Sequence, residues 1–309
     1  MEIAEAVASI INSYINDPYK VEEKLNSFRI YLEERSRNND KFYVREVTHS
    51  GRVFFIGDLH GDFETLKNIL SKIDYNSLEK GDLKIIFLGD YVDRGLYQTE
   101  TLLSVLELES MYPEEIFVLR GNHELLKHAP PYPHDFPTEL YSRYGFTRGM
   151  RIYNTFVSLV DYLDAAIILN KNIIALHGGL PVTTFQKVSN IYEYLLGRNE
   201  SEKINVITEI LWNDPIEENI DKLPSYRGIG YLWGKQVTNW VADNFGIKMV
   251  IRGHEYTELG YKINHDGRVL TLFTTKGYPY KNKTGAYAVI DLSTQTYEEN
   301  LMDSIHFIE

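Results

Sequence analysis

The chain has 309 residues, 43% of them apolar, no cysteine, and a formal net charge of -12 from 32 basic and 44 acidic side chains. The missing cysteine excludes a disulfide framework, a thiolate zinc site, an iron–sulfur cluster and any cysteine nucleophile. The acidic balance argues against nucleic acid and membrane as partners, because both want a basic face, so phosphate-directed chemistry would have to obtain its positive charge locally.

The first residues carry Glu2 and Glu5 where a secretory signal needs basic side chains. The uncharged stretch 173–186 is too short for a bilayer and contains Gly-Gly and Pro. A cytoplasmic protein is therefore expected. Two helices are read at the start, one from Ile3, Val7, Ile10, Ile11 and Tyr14, the other from Val21, Leu25, Phe28 and Leu32 after Asp17-Pro18. From residue 50 the grammar changes to short runs rich in Val, Ile and Phe that end in polar clusters: VFFIGDLHGD at 53–62, KIIFLGDYVDRG at 84–95 and IFVLRGNHE at 116–124. Amphipathic helices around Leu66–Ile73 and Leu102–Leu106 separate them, which is the βαβ pattern of a parallel sheet. NIIALHGGL at 172–180 and KMVIRGHE at 248–255 repeat the form, with a histidine just past the apolar run. Residues 267–303 read as strands joined by turns, forming a second, more antiparallel sheet. The expected fold is a single-domain α/β sandwich of two mixed sheets flanked by helices, with an N-terminal helical segment at 1–45 packed on a core at 46–309.

Ligands of such sheets gather at the carboxyl ends of the strands. Asp58, His60, Asp90, Asn122, His177 and His254 all fall there, and all are oxygen or nitrogen donors. Six such donors on one sheet edge suit two divalent cations such as Mn²⁺, Fe²⁺ or Zn²⁺. Asp58 and His60 are two residues apart, so a turning backbone can aim both at one ion.

GDLHGD, GDYVDRG, RGNHE, HGG and RGHE together resemble the successive metal motifs of the phosphoprotein phosphatases, the metal-dependent serine/threonine phosphatases. The resemblance extends over residues 50–300 and includes ILWNDP at 210–215 and SYRGIGYLWG at 225–234. It implies a calcineurin-like metallophosphoesterase domain. It further implies that Asp58, His60 and Asp90 hold one metal, and that Asp90, Asn122, His177 and His254 hold the other, with Asp90 as bridge. His123 is implied as proton donor, Asp93 as its carboxylate partner, and Arg94 and Arg227 as phosphate clamps. The reaction so implied is hydrolysis of phosphoserine and phosphothreonine in proteins by water activated between two metals, Mn²⁺ first, with Fe or Zn as alternatives. Phosphoproteins are then the partners, and no regulatory subunit is evident.

Where family members read SAPNY, this chain has TTKGYPYKNKTGA, so only Tyr278 is carried over to the substrate pocket. RGHE is closer to prokaryotic, archaeal-like members, and the chain ends soon after its last strands, so a free-standing enzyme is expected. His49, His128, His134, His265 and His306 fall outside every motif and read as surface or loop residues. Arg120 and Arg252 read equally as supports for neighbouring ligands or as strand-end charges. The competing functions are a bis(5'-nucleosyl)-polyphosphate hydrolase or broad phosphomonoesterase, and an inactive phosphoprotein-binding module. Asp93 in VDRG argues against the first, and the complete ligand set against the second.

Overall fold

The computed structural model describes residues 3–37, 44–276, 278–294 and 301–308. The apolar runs become strands: β1 Val44–Val47, β2 Arg52–Ile56, β3 Leu83–Phe87, β4 Ile116–Val118, β5 Ala166–Leu169, β6 Ile173–Leu176, β7 Asp214–Pro215, β8 Lys222–Pro224, β9 Tyr231–Trp233, β10 Met249–Arg252, β11 Tyr261–Asn264, β12 Val269–Leu272, β13 Gly285–Asp291 and β14 Ile305–Ile308. The helices are α1 Ile3–Tyr14, α2 Pro18–Arg37, α3 Phe63–Leu70, α4 Tyr75–Glu79, α5 Gln98–Met111, α6 Phe136–Tyr144, α7 Phe146–Leu159, α8 Ile191–Leu196, α9 Glu200–Trp212 and α10 Lys235–Phe245.

Two mixed sheets carry the architecture, one in the order β1-β5-β6-β10-β12-β11 and the other β14-β13-β2-β3-β4; β7, β9 and β8 form a small third sheet. The central strands β3, β4, β5, β6, β10 and β12 are buried on both faces, which is why they read as continuous apolar runs. Side-chain alternation nonetheless sorts them. Val53, Phe55, Ile86 and Leu88 meet Ile167, Ala175, Ile251 and Leu270 between the sheets. Phe54, Ile56, Ile85 and Phe87 face outward onto α1, α2, α3, α5 and α7. On the opposite side Ile168, Ile174 and Val250 lie under α9 and α10. The result is four layers, helix, sheet, sheet, helix. The apolar faces of α1 and α2 belong to the first of these helical layers, through Val7, Ile11, Val21, Leu25 and Leu32. The boundary drawn at 45/46 falls inside β1, which pairs with β5.

The reading of 267–303 needs correcting in one respect. The described residues of this segment do not build a sheet of their own. β12 joins β10 in parallel, whereas β13 pairs antiparallel with β2 in the other sheet. Strand partners this far apart in sequence leave no local signal, because period and apolarity are the same in either sheet. Residues 295–300, within the same segment, lie outside the described residues.

The two parallel triplets, β2-β3-β4 and β6-β10-β12, point their carboxyl ends at one rim of the sandwich. Asp58 follows β2, Asp90 follows β3, Asn122 follows β4, His177 follows β6 and His254 follows β10. Among the described residues no helix is long and apolar enough to cross a membrane.

Candidate active site

The rim is built from tight backbone. His60, Asp90, Asp93, Arg94 and His254 all have positive φ, between 42° and 75°, a region that side chains other than glycine seldom occupy. Such conformations cost free energy and persist only where surrounding contacts impose them. Glu124 supplies one such set: its buried carboxylate accepts the N–H groups of Asp90 at 3.0 Å, Tyr91 at 3.1 Å and Gly121 at 2.9 Å. Burial first and Asp90 second push the Glu124 carboxyl upward. Two motif glycines leave room for the carboxylates. A Cβ on Gly121 would lie 2.2 Å from Asp90 Oδ1, and one on Gly253 would lie 2.5 Å from Asp58 Oδ1. Gly121→Ala is therefore expected to displace Asp90 and weaken Mn²⁺ binding about tenfold or more, read by calorimetric titration. Unchanged affinity would show that the strand end yields instead.

The six donors of the sequence reading lie together and are all buried. Asp58 Oδ2 stands 3.8 Å from His60 Nε2, which in turn is 3.4 Å from Asp90 Oδ2. His60 gives its Nδ1–H to the Val92 carbonyl at 2.9 Å. Burial drives its imidazole down to about 3, with Asp90 opposing and Arg94 adding to the fall, so Nε2 carries a free lone pair. His177 likewise donates Nδ1–H to Leu88 at 2.9 Å, which turns Nε2 toward Asn122 Oδ1 at 3.0 Å and Asp90 Oδ1 at 3.3 Å. His254 Nδ1 is 3.0 Å from the same Asn122 oxygen, and its Nε2 is buried with no hydrogen-bond partner among the described residues.

Acceptors thus face acceptors, an arrangement that is favourable only with a positive charge between them. The titration directions agree. Burial and then Asp90 raise Asp58, while Asp90 is held well below the usual carboxylate range because His177 and His123 outweigh its own burial. Burial lowers His177, but Asp90 more than reverses this. Hard oxygens and imidazole nitrogens in this arrangement fit divalent cations.

His123 sits apart from the ligands by its bonds. Both ring nitrogens are engaged, Nδ1 with Asp93 Oδ2 at 2.5 Å and Nε2 with Arg94 Nη2 at 3.0 Å. Burial acts to raise the Asp93 carboxyl, but the hydrogen bonds from His123 and His134 hold it well below its usual range. The Arg94 backbone N–H donates to Asp135 Oδ1 at 2.9 Å, and its guanidinium donates to the Tyr280 hydroxyl. Arg227 donates Nε–H to Asp214 Oδ2 at 2.7 Å. A cavity of about 280 Å³ opens over these groups, floored by Asp90, Asn122, His123 and His254 and walled by Arg94, Arg227 and Trp212.

Tyr278 does not join them. It is 68% exposed, and Tyr280 is the tyrosine that meets Arg94, with its ring 5.8 Å from that of His60. The loop is pinned at its start, where Asp62 Oδ2 accepts from Lys276 N at 3.0 Å and Thr275 Oγ1 at 3.1 Å. Asp62 also caps α3, so one carboxylate of GDLHGD fixes both elements. Two histidines read as surface or loop residues do lie in loops, but each is tied into the fold. His265 is buried between Thr238 and the Ile216 carbonyl, and His134 binds Asp93. Arg252 is fully buried and donates to Asp214 at 2.9 Å, and Arg120 reaches Glu124 O and Asp161 at 3.0 Å each, so both support the rim. Sequence reasoning gave no role to Asp214, Glu124 or Tyr280, although the first two lie within quoted motifs.

Two facing sheets that bring carboxylates, an asparagine and imidazoles to one shared edge define the metallophosphoesterase class. The family model for calcineurin-like phosphoesterases matches residues 51–258. The probable serine/threonine-protein phosphatase of Encephalitozoon cuniculi is 32% identical over 256 residues, covering 83% of this chain and 54% of that protein. The serine/threonine-protein phosphatase 4 catalytic subunit of Saccharomyces cerevisiae is 31% identical over 232 residues, 74% of this chain and 70% of its own length. A solved Saccharomyces cerevisiae serine/threonine phosphatase with similarity to human PP5 has the same fold, with a TM-score of 0.69 at 22% identity over 93% of this chain and 89% of the other. The chain belongs to the calcineurin-like phosphoesterase family, in its phosphoprotein phosphatase branch. It spans between 41% and 62% of the length of three curated relatives.

Proposed function

We propose that the protein hydrolyses phosphoserine and phosphothreonine in proteins. The observation that carries this reading is the His123–Asp93 pair, 2.5 Å apart and adjoining the donor cluster, with Arg94 and Arg227 on the walls of the same cavity. Two divalent cations, Mn²⁺ first with Fe or Zn as alternatives, would be held by Asp58, His60 and Asp90 and by Asp90, Asn122, His177 and His254, and would supply water activation and charge neutralisation for in-line displacement. The guanidinium forks of Arg94 and Arg227 match phosphoryl oxygens, and Tyr280 and Asp214 hold them in place. Drawing Arg94 onto a phosphate removes its donor from His123 Nε2 and frees that atom to carry a proton. Asp93, fixed on Nδ1–H, stabilises the imidazolium, and Nε2–H protonates the departing serine oxygen, a poor leaving group without help. A cytoplasmic setting and phosphoprotein partners belong to the same reading.

Phosphopeptides and diadenosine tetraphosphate, assayed side by side with added Mn²⁺, separate the candidates. Turnover of phosphoserine and phosphothreonine peptides is expected, with little on the dinucleotide. Activity on the dinucleotide alone would sink the proposal, and inactivity on both with metal bound would point to a binding module.

A further inference from the structure

The segment APPYPHDFP enters α6 directly beneath His123, and it delivers a second imidazole to the carboxylate that the first one uses. His134 Nδ1 lies 2.8 Å from Asp93 Oδ2, the oxygen that also receives His123 Nδ1 at 2.5 Å. The other oxygen, Oδ1, accepts the backbone N–H groups of Asp135 at 2.8 Å and Phe136 at 2.9 Å. Asp93 is fully buried, so these four donors satisfy a charge that water does not reach. A carboxylate only accepts, so the Nδ1 of His134 carries its hydrogen. In the neutral ring Nε2 is then an acceptor, and the Tyr153 hydroxyl on α7, 2.9 Å away, is placed to donate to it. Asp93 thereby sets the tautomer of His134, and the Tyr153 hydroxyl accommodates it.

We propose that His134 is a positioning residue for the reaction, holding Asp93 so that His123 Nε2 points at the leaving oxygen. The geometry gives the reason. Two backbone donors on Oδ1 anchor one end of the carboxylate, and His134 fills one of the two lone-pair directions of Oδ2, leaving the remaining one for His123. Without that donor the carboxylate is free to swing, and the His123 ring swings with it. Loss of orientation of about an ångström costs roughly 10- to 100-fold in rate. The effect is selective, because only substrates whose leaving oxygen needs a proton depend on where Nε2 points.

This rests on the proposed role of His123 as general acid, so His123→Asn is assayed alongside. The informative pair is His134→Asn and His134→Gln. Asparagine places its amide N–H where Nδ1 stood and keeps the bond to Asp93. Glutamine reaches the Nε2 position, keeping bulk and the Tyr153 contact while losing Asp93. For His134→Gln, kcat on a phosphoserine peptide is expected to fall about 10- to 100-fold at nearly constant KM, with no more than about threefold on p-nitrophenyl phosphate. His134→Asn should stay within about threefold of the parent on both substrates. Thermal unfolding of each variant checks that the folded fraction is equal. Matching behaviour of the two variants, or equal losses on both substrates, would overturn the proposal. If His123→Asn itself loses equally on both, the reading of His123 fails; if it is selective and His134→Gln is not, only the inference about His134 fails.

Discussion

Replacing Asp90 with Asn is expected to empty both metal positions and lower phosphopeptide turnover by at least about a hundredfold, more than a supporting residue would cost. Asp90 is the carboxylate common to two buried clusters of closely spaced side chains, one with His60 and His123 and the other with His177 and His254. Its Oδ2 faces His60 at 3.4 Å and its Oδ1 faces His177 at 3.3 Å. The side-chain amide of Asn keeps the shape but removes the negative charge that two cations would share, and turns one acceptor into a donor aimed at an imidazole lone pair. The fold should survive, because the backbone bond from Asp90 N–H to Glu124 does not depend on the side chain. Metal content by mass spectrometry, taken with thermal unfolding, checks this. Full retention of one ion would contradict the bridge.

The second large effect belongs to His123. His123→Asn should cost about 10²- to 10⁴-fold on phosphoserine peptides, the usual contribution of a general acid, and far less on p-nitrophenyl phosphate, whose phenolate leaves unaided. His123 is buried, and its backbone N–H donates to Asp90 Oδ1 at 3.0 Å. A variant that merely disturbed the donor cluster would therefore harm both substrates together. The ratio of the two losses separates acid from scaffold. Asp93→Asn should give the same ratio, since it would disturb the Nδ1–H contact at 2.5 Å without touching any of the six donors.

The parallel strands were legible because burial on both faces writes an uninterrupted apolar run, and the abrupt change to Gly-Asp or Gly-Asn marks where that run reaches the rim. Asp58, Asp90, Asn122, His177 and His254 could be placed for the same reason: each follows its strand directly. What failed to show depended on contacts between distant segments. β12 and β13 are similar in sequence character yet join different sheets, β12 beside β10 about twenty residues upstream and β13 beside β2 more than two hundred residues upstream. Tyr280 rather than Tyr278 turns inward in a loop that Asp62 pins four to five residues before Tyr280, and nothing local to YPY distinguishes the two rings. His134 looked like a loop histidine because its partner, Asp93, is forty-one residues upstream. The close approach of Gly121 and Gly253 to the carboxylates was equally hidden, since a glycine in a turn is the commoner reason for that residue.

The central claim is that an acidic chain, with a net charge of -12, handles a phosphate because its buried donors gather two cations at one sheet edge. Anomalous diffraction from crystals of the protein grown with Mn²⁺, collected at the manganese edge, tests this most directly. Two peaks are expected, one among Asp58, His60 and Asp90 and one among Asp90, Asn122, His177 and His254. A single peak, or none beside Asp90 at saturating Mn²⁺, would contradict it.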